Sequence, residues 1–214
     1  MRSKPVSWLK IALIAGAVVG GAGVGIGVAI AQGDSSSKQS APSDPGTFFA
    51  AGSRPAPEFT LRDEAGRSIG LRSLRGRTVL LAFIDPVCRN YCPFEAKILN
   101  DLVSRAPAAK RPAIVAVSVN PWNQTKADLA VDRAKWHLAP EWRWGLGSYA
   151  QLARVWEKYS IGVQVQTKTL AGVTVHEVAH TEAAYVIDSH GDERALFIYP
   201  YRADAVARAV ARIS

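Results

Sequence analysis

Two apolar, partly β-branched runs constrain the architecture of this chain most: TVLLAFI at residues 78–84 and AIVAVSV at residues 113–119. Neither alternates with polar residues, so neither suits a strand with one face in water. Continuous runs of this length fit strands buried on both faces of a parallel sheet. Between them, Phe94, Ile98, Leu99, Leu102 and Val103 recur at helical spacing. Pro93 falls in the first turn, where its missing N–H breaks no bond. Strand, helix, strand is a βαβ unit, whose crossover is right-handed almost without exception.

Residues 59–61 and 68–71 flank the turn-rich Asp63-Glu64-Ala65-Gly66 and predict a short hairpin. Further on, residues 127–138 and 149–159 read as helices, and 162–166, 183–188 and 195–199 as strands. Ser189-His190-Gly191-Asp192 reads as the hairpin turn between the last two strands, and residues 202–213 as a closing helix. The expected class is α/β, a central mixed sheet flanked by helices, parallel at its start and antiparallel at its end.

Residues 11–31 (IALIAGAVVGGAGVGIGVAIA) carry no charge. A helix of that length rises about 30 Å, the thickness of the hydrocarbon core of a bilayer. Arg2, Lys4 and Lys10 precede it, and basic flanks stay cytoplasmic. Residues 1–31 are therefore expected to be an N-terminal transmembrane helix, a single pass through the cell membrane with the domain on the extracytoplasmic side. Ala29-Ile30-Ala31 also matches the small-residue pattern of signal cleavage, so removal after Ala31 stays open. Residues 32–54, rich in Ser, Pro, Gly and Ala, are expected to form a flexible linker, with residues 55–214 as the folded domain. The net charge of +8 is not gathered into a basic patch interleaved with aromatics, which argues against nucleic-acid binding.

The chain has only two cysteines, Cys88 and Cys92, placed where the first long strand ends and the helix begins. Ligand sites in open α/β sheets lie beyond the carboxyl ends of strands, and a helix N-terminus favours a thiolate. On a regular helix, i and i+4 Cβ atoms stand ~5–6 Å apart, wider than the ~3.5–4.5 Å a disulfide needs. A metal held at ~2.3 Å from each sulfur tolerates the wider spread. C-x-x-x-C thus leans towards metal while permitting a reversible disulfide; an inert structural pair is the alternative.

A third ligand has to come from elsewhere, and the chain offers His137, His176, His180 and His190. His190 lies in a turn and His137 on a helix beside Trp136, both ordinary surface positions. His176 and His180 precede the strand at 183–188, in a loop able to approach the cysteines. The β-branched residues around them argue against a helix that would pair the two. Two thiolates and an imidazole suit Cu(I), or Cu(II) with an added weak ligand. Trp136, Trp142, Trp144 and Trp156 read as core, and Arg202, Arg208 and Arg212 as a solvated helix face.

Cys88-Arg89-Asn90-Tyr91-Cys92-Pro93 with Glu95, then Ser118-Val119-Asn120-Pro121, then His180-Thr181 ahead of Ala184-Tyr185-Val186-Ile187-Asp188 resembles the SCO/SenC family. These are membrane-tethered, copper-binding proteins of thioredoxin-like fold, implicated in assembling the dinuclear copper centre of cytochrome c oxidase. The likeness covers residues 55–214. It implies a thioredoxin-like fold, copper ligands Cys88, Cys92 and His180, and delivery of copper to cytochrome c oxidase, with subunit II as the receiving partner. The alternative, read from the cysteine pair itself, is a thiol–disulfide oxidoreductase in which Cys88 and Cys92 reduce partner cysteines, although such enzymes usually carry C-x-x-C. A peroxiredoxin is disfavoured, since Asp85 and Arg89, not Thr, stand three residues before each cysteine. Three positions depart from the family pattern: Arg89 replaces a common Pro, Asn120 an Asp, and Ala179 an Asp. The charge change implies lower thiol pKa values and an altered copper preference.

Overall fold

The computed structural model describes residues 46–213. The expected anchor, residues 1–31, and the linker up to residue 45 lie outside the described residues. Among the described residues no helix is long and apolar enough to cross a membrane.

In chain order the elements are β1 (Gly46–Phe48), β2 (Leu61–Arg62), β3 (Ser68–Ile69), β4 (Val79–Ile84), α1 (Cys92–Arg105), β5 (Ala113–Ser118), α2 (Lys126–Lys135), β6 (Trp142–Gly145), α3 (Tyr149–Lys158), β7 (Val163–Leu170), β8 (Val173–His180), β9 (Ala183–Ile187), β10 (Glu193–Ile198) and α4 (Ala203–Ala211). Six strands form a central mixed sheet in the order β1-β10-β9-β4-β5-β6. Parallel β4 and β5 pair from Val79 with Ala113 to Ile84 with Ser118. Every residue of both is buried, as their unbroken apolar runs require.

Strand alternation sends side chains to two layers. Leu80, Ala82 and Ile84 pack with Leu99 and Val103 of α1 and with Ala205 and Val206 of α4. Leu81 and Phe83 pack on the other face with Leu152, Val155 and Trp156 of α3. The C-terminal hairpin β9–β10 closes at Ser189-His190-Gly191 as expected, the Asp188 N–H donating to the Asp192 carbonyl at 2.9 Å. Trp142, Trp144 and Trp156 are buried and Trp136 packs against the core, in line with their reading as core.

Three strands escape the sequence pattern. Strand β6 is only four residues and includes Arg143, yet its Trp142 and Trp144 face the first layer while Arg143 turns to Asp63. Strand β1 lies within residues 32–54, the expected linker. It pairs with β10, Phe48 sets its ring edge-on to Phe197 at 5.9 Å, and the Phe49 N–H donates to the Arg194 carbonyl. Folded structure therefore begins by residue 46, and the expected start at residue 55 is corrected.

The third is β8. The strand expected at 162–166 runs on to Leu170, reverses through Ala171 and Gly172, both at positive φ, and returns as β8. Two left-handed residues in succession make the tight turn that a twisted hairpin prefers. His176 and His180 are thus on a paired strand and not in a loop. The hairpin is exposed along much of both strands, so it lacks the one-sided apolar alternation that marks a strand in sequence.

Candidate metal centre

At the end of β4, Asp85-Pro86-Val87 turns the chain towards α1. The Asp85 carboxylate organises this turn: Oδ1 accepts from the Val87 N–H at 3.0 Å and from Nδ2 of Asn120 at 3.1 Å. Its carbonyl accepts from the Cys88 N–H at 3.1 Å. Asn120 stands just past β5, so the contact ties together the carboxyl ends of two parallel strands beneath the cysteine loop.

Cys88 is half-buried in that loop, and Cys92, fully buried, opens α1 against the sheet. Both thiols are free. The Cys92 thiol donates to the Cys88 sulfur, which also receives the backbone N–H groups of Cys92, Asn90 and Tyr91. Against the opposing effect of burial, these hold the Cys88 thiol at about 6. The same bond, burial and the neighbouring Cys88 charge push Cys92 strongly up. The expected lowering of the thiol pKa thus holds for one cysteine only. Its origin is the donor cluster at the start of α1; exposed Arg89 acts on Asp85 and Asp132 instead.

His180 arrives from the far side of the sequence at the end of β8, opposite Val163, with the Thr181 N–H donating to the Gly162 carbonyl at 2.9 Å. Its Nδ1 lies 3.1 Å from the Thr181 carbonyl. A carbonyl only accepts, so Nδ1 carries the proton and Nε2 keeps its lone pair. Burial lowers the His180 pKa, which favours the neutral, ligating form.

A ring nitrogen of His180, Sγ of Cys92 and a carboxylate oxygen of Glu182 all lie within 4.8 Å of one another. Cys88 joins them through its bond with Cys92. Glu182 was not singled out from sequence. The only signal was its i+2 spacing from His180, which on extended backbone returns a side chain to the same side. Burial, then the Cys88 charge, raises Glu182 to about 7.

Glu95, one turn into α1, is fully buried. Its Oε1 accepts from the Tyr201 hydroxyl at 2.7 Å, while Oε2 has no partner among the described residues. Burial raises it to about 8, with Glu182 and Cys88 adding to the effect. Sulfur, nitrogen and oxygen donors thus converge where several acidic groups resist carrying charge together. A bound cation would relieve that crowding, and this donor set suits a soft or borderline metal.

The other histidines stand apart. His137 is exposed at positive φ after α2, and His190 is exposed in the β9–β10 turn. His176 stacks on Trp122 with ring centroids 4.1 Å apart and pairs Nδ1 with the Thr167 hydroxyl.

The SCO1/SenC family model matches residues 50–214. Among solved structures, copper-bound ScoI of Bradyrhizobium japonicum superposes with a TM-score of 0.63 at 21% identity, covering 75% of this chain and 99% of that one. Yeast Sco1 does so with a TM-score of 0.64 at 16% identity, over 74% and 96%. BsSco, a member of the Sco family of cytochrome c oxidase assembly proteins in which a disulfide switch has been identified, gives 0.58 at 21%, over 75% and 93%. At these identities the likeness is one of fold. No curated protein matches the sequence.

Proposed function

Since this chain belongs to the SCO1/SenC family, with its thioredoxin-like fold, we propose that it is a copper chaperone for cytochrome c oxidase. Residues 11–31 tether it to the cell membrane, and the domain works on the extracytoplasmic side. Copper is its cargo, held by Cys88, Cys92 and His180, and the receiving partner is subunit II. The observation that supports this reading is the meeting of His180, with its Nε2 lone pair free, and the free thiol of Cys92, 88 residues earlier and itself bonded to Cys88.

The donors suit loading and release differently. Cys92 is fixed in the first turn of α1, whereas His180 rides on a hairpin outside the central sheet. An imidazole there can yield its place to a ligand from the acceptor while both sulfurs still hold the ion. Tyr91 and Phe94, each more than half exposed on either side of Cys92, offer the acceptor an apolar rim.

The test is titration of the full, reduced chain with Cu(I) and Cu(II), compared with His180→Ala and the Cys88→Ser/Cys92→Ser double variant. We expect one copper per chain in the wild type, none in the double variant, and at least about tenfold weaker binding without His180. A folded, fully reduced chain that takes up no copper would sink the reading.

A second reading has its own support. A Cys88 thiolate bonded to a Cys92 thiol is the arrangement from which one sulfur attacks a partner's disulfide and the other resolves the mixed intermediate. Oxidation of the Cys88/Cys92 dithiol to a disulfide gives up the two electrons, and the two protons, that convert the partner's cystine to two thiols. The reduction potential of the pair, measured against a glutathione buffer, tests this role apart from copper.

A further inference from the structure

Glu182 is the acidic group that copper binding by Cys88, Cys92 and His180 leaves unused. It lies in the two-residue link between β8 and β9. The backbone there is held on both sides: the Thr181 N–H donates to the Gly162 carbonyl, and the Glu182 carbonyl accepts from the Tyr199 N–H, both at 2.9 Å. The Thr181 hydroxyl, turned the opposite way, accepts from the Gly162 N–H at 3.2 Å. His180 and Glu182 are thereby presented side by side. The carboxylate oxygen lies within 4.8 Å of both the Cys92 sulfur and the His180 ring nitrogen. Among the described residues no cation or hydrogen-bond donor pairs with that carboxylate, although the chain is rich in arginine. A half-buried carboxylate set among metal donors, with nothing else to bind, calls for a ligand role.

The geometry points to Glu182 as the fourth copper donor, the one that makes the site retain Cu(II). This deepens the chaperone reading and rests on it. Two thiolates and an imidazole form a soft set that serves Cu(I) well, whereas a carboxylate oxygen is a hard donor that a divalent ion uses better. Charge argues the same way. Two thiolates and a carboxylate bring three negative charges; Cu(II) leaves one uncompensated and Cu(I) leaves two, in a site shielded from water where the excess is costly. Residue 179, beside the histidine, is alanine, and Glu182, in the link after β8, brings a carboxylate oxygen within 4.8 Å of the ring nitrogen.

The experiment uses the full, reduced chain with Cu(I) and Cu(II) supplied separately against competing chelators, plus the electron paramagnetic resonance spectrum of the Cu(II) form. Glu182→Gln keeps the shape and removes the charge. We expect it to weaken Cu(II) binding at least tenfold and Cu(I) binding less than twofold. Tenfold selective loss raises the Cu(II)/Cu(I) midpoint potential by about 59 mV. The copper hyperfine pattern should change, and Glu182→Asp, which retains a shorter carboxylate, should recover part of it. Identical spectra and affinities in wild type and Glu182→Gln overturn the inference while leaving the chaperone reading intact. So does an equal loss for both ions, which would mark Glu182 as a contributor of charge and not a selective donor. A wild-type chain that binds neither ion overturns the chaperone reading, and the inference falls with it.

Discussion

In the reduced, metal-free chain, Cys88 is expected to be alkylated by iodoacetamide with a pH midpoint of about 6. An unperturbed thiol titrates near ~8.5 and is only about 3% thiolate at pH 7, whereas Cys88 would be about 90% thiolate. That factor of about thirty does not pass straight into rate. Nucleophilicity falls with basicity, and a Brønsted slope of about 0.45 over about 2.5 units removes about thirteenfold. The net advantage is therefore about twofold at pH 7, growing to about tenfold at pH 6, where the ordinary thiol has almost vanished as thiolate. Rate against pH is thus more telling than rate at one pH. Mass spectrometry after brief exposure would follow it, since buried Cys92 should stay unmodified. Cys92→Ala removes the largest donor to the Cys88 sulfur and should move the midpoint up, leaving only the backbone N–H groups. A wild-type midpoint near ~8.5 would refute the thiolate assignment. A midpoint that stays near 6 in Cys92→Ala would refute its cause.

Asn120→Ala strips one donor from the buried Asp85 carboxylate and should cost about 2 kcal/mol in urea denaturation; an unchanged midpoint would mean the loop does not depend on that bond. Asp63, with no exposed side-chain surface, accepts from two backbone N–H groups and from Arg67 and Arg143; burial pushes its pKa up, but these bonds outweigh it and hold it at about 2. Asp63→Ala should cost about 3 kcal/mol. Because the folded pKa is depressed, the wild type keeps this contribution above about pH 4 and loses it as pH falls towards 2, a slope absent from the variant. Glu95 has the opposite sign: its folded pKa is raised to about 8, so its contribution is complete below about pH 4 and declines as pH rises through 8. Glu95→Gln should therefore gain thermal stability relative to wild type as pH rises from about 4 to about 8, and a difference independent of pH would rule out a buried, titrating Glu95.

Sequence alone reached the parts of this fold whose environment is the same along their whole length. Strands β4 and β5 are buried on both faces, so their composition declares them, and α1 is visible from its apolar spacing. Strand β1 is held by what lies far off in the chain: Phe197 covers Phe48 and the Arg212 guanidinium sits over its ring, neither of which a Pro- and Ser-rich neighbourhood announces. The same limit governs the site. Cys88, Cys92 and His180 stand out in the sequence because thiol and imidazole are scarce and chemically pointed, whereas Glu182 is one acidic residue among many until the β7–β8 hairpin folds it back beside the Cys92 sulfur. Arg89 illustrates the converse. It is next to Cys88 in sequence, yet its exposed charge does not set that thiol's state, because hydrogen-bond donors at contact outweigh a guanidinium screened by water. Spacing in the sequence identifies which donors exist; the direction each side chain takes from its backbone decides which of them act together. By direction and reach together Glu182 belongs with the cysteines and His180; His176 shares His180's face of β8 but sits ~13 Å back along the extended strand and stacks on Trp122 instead.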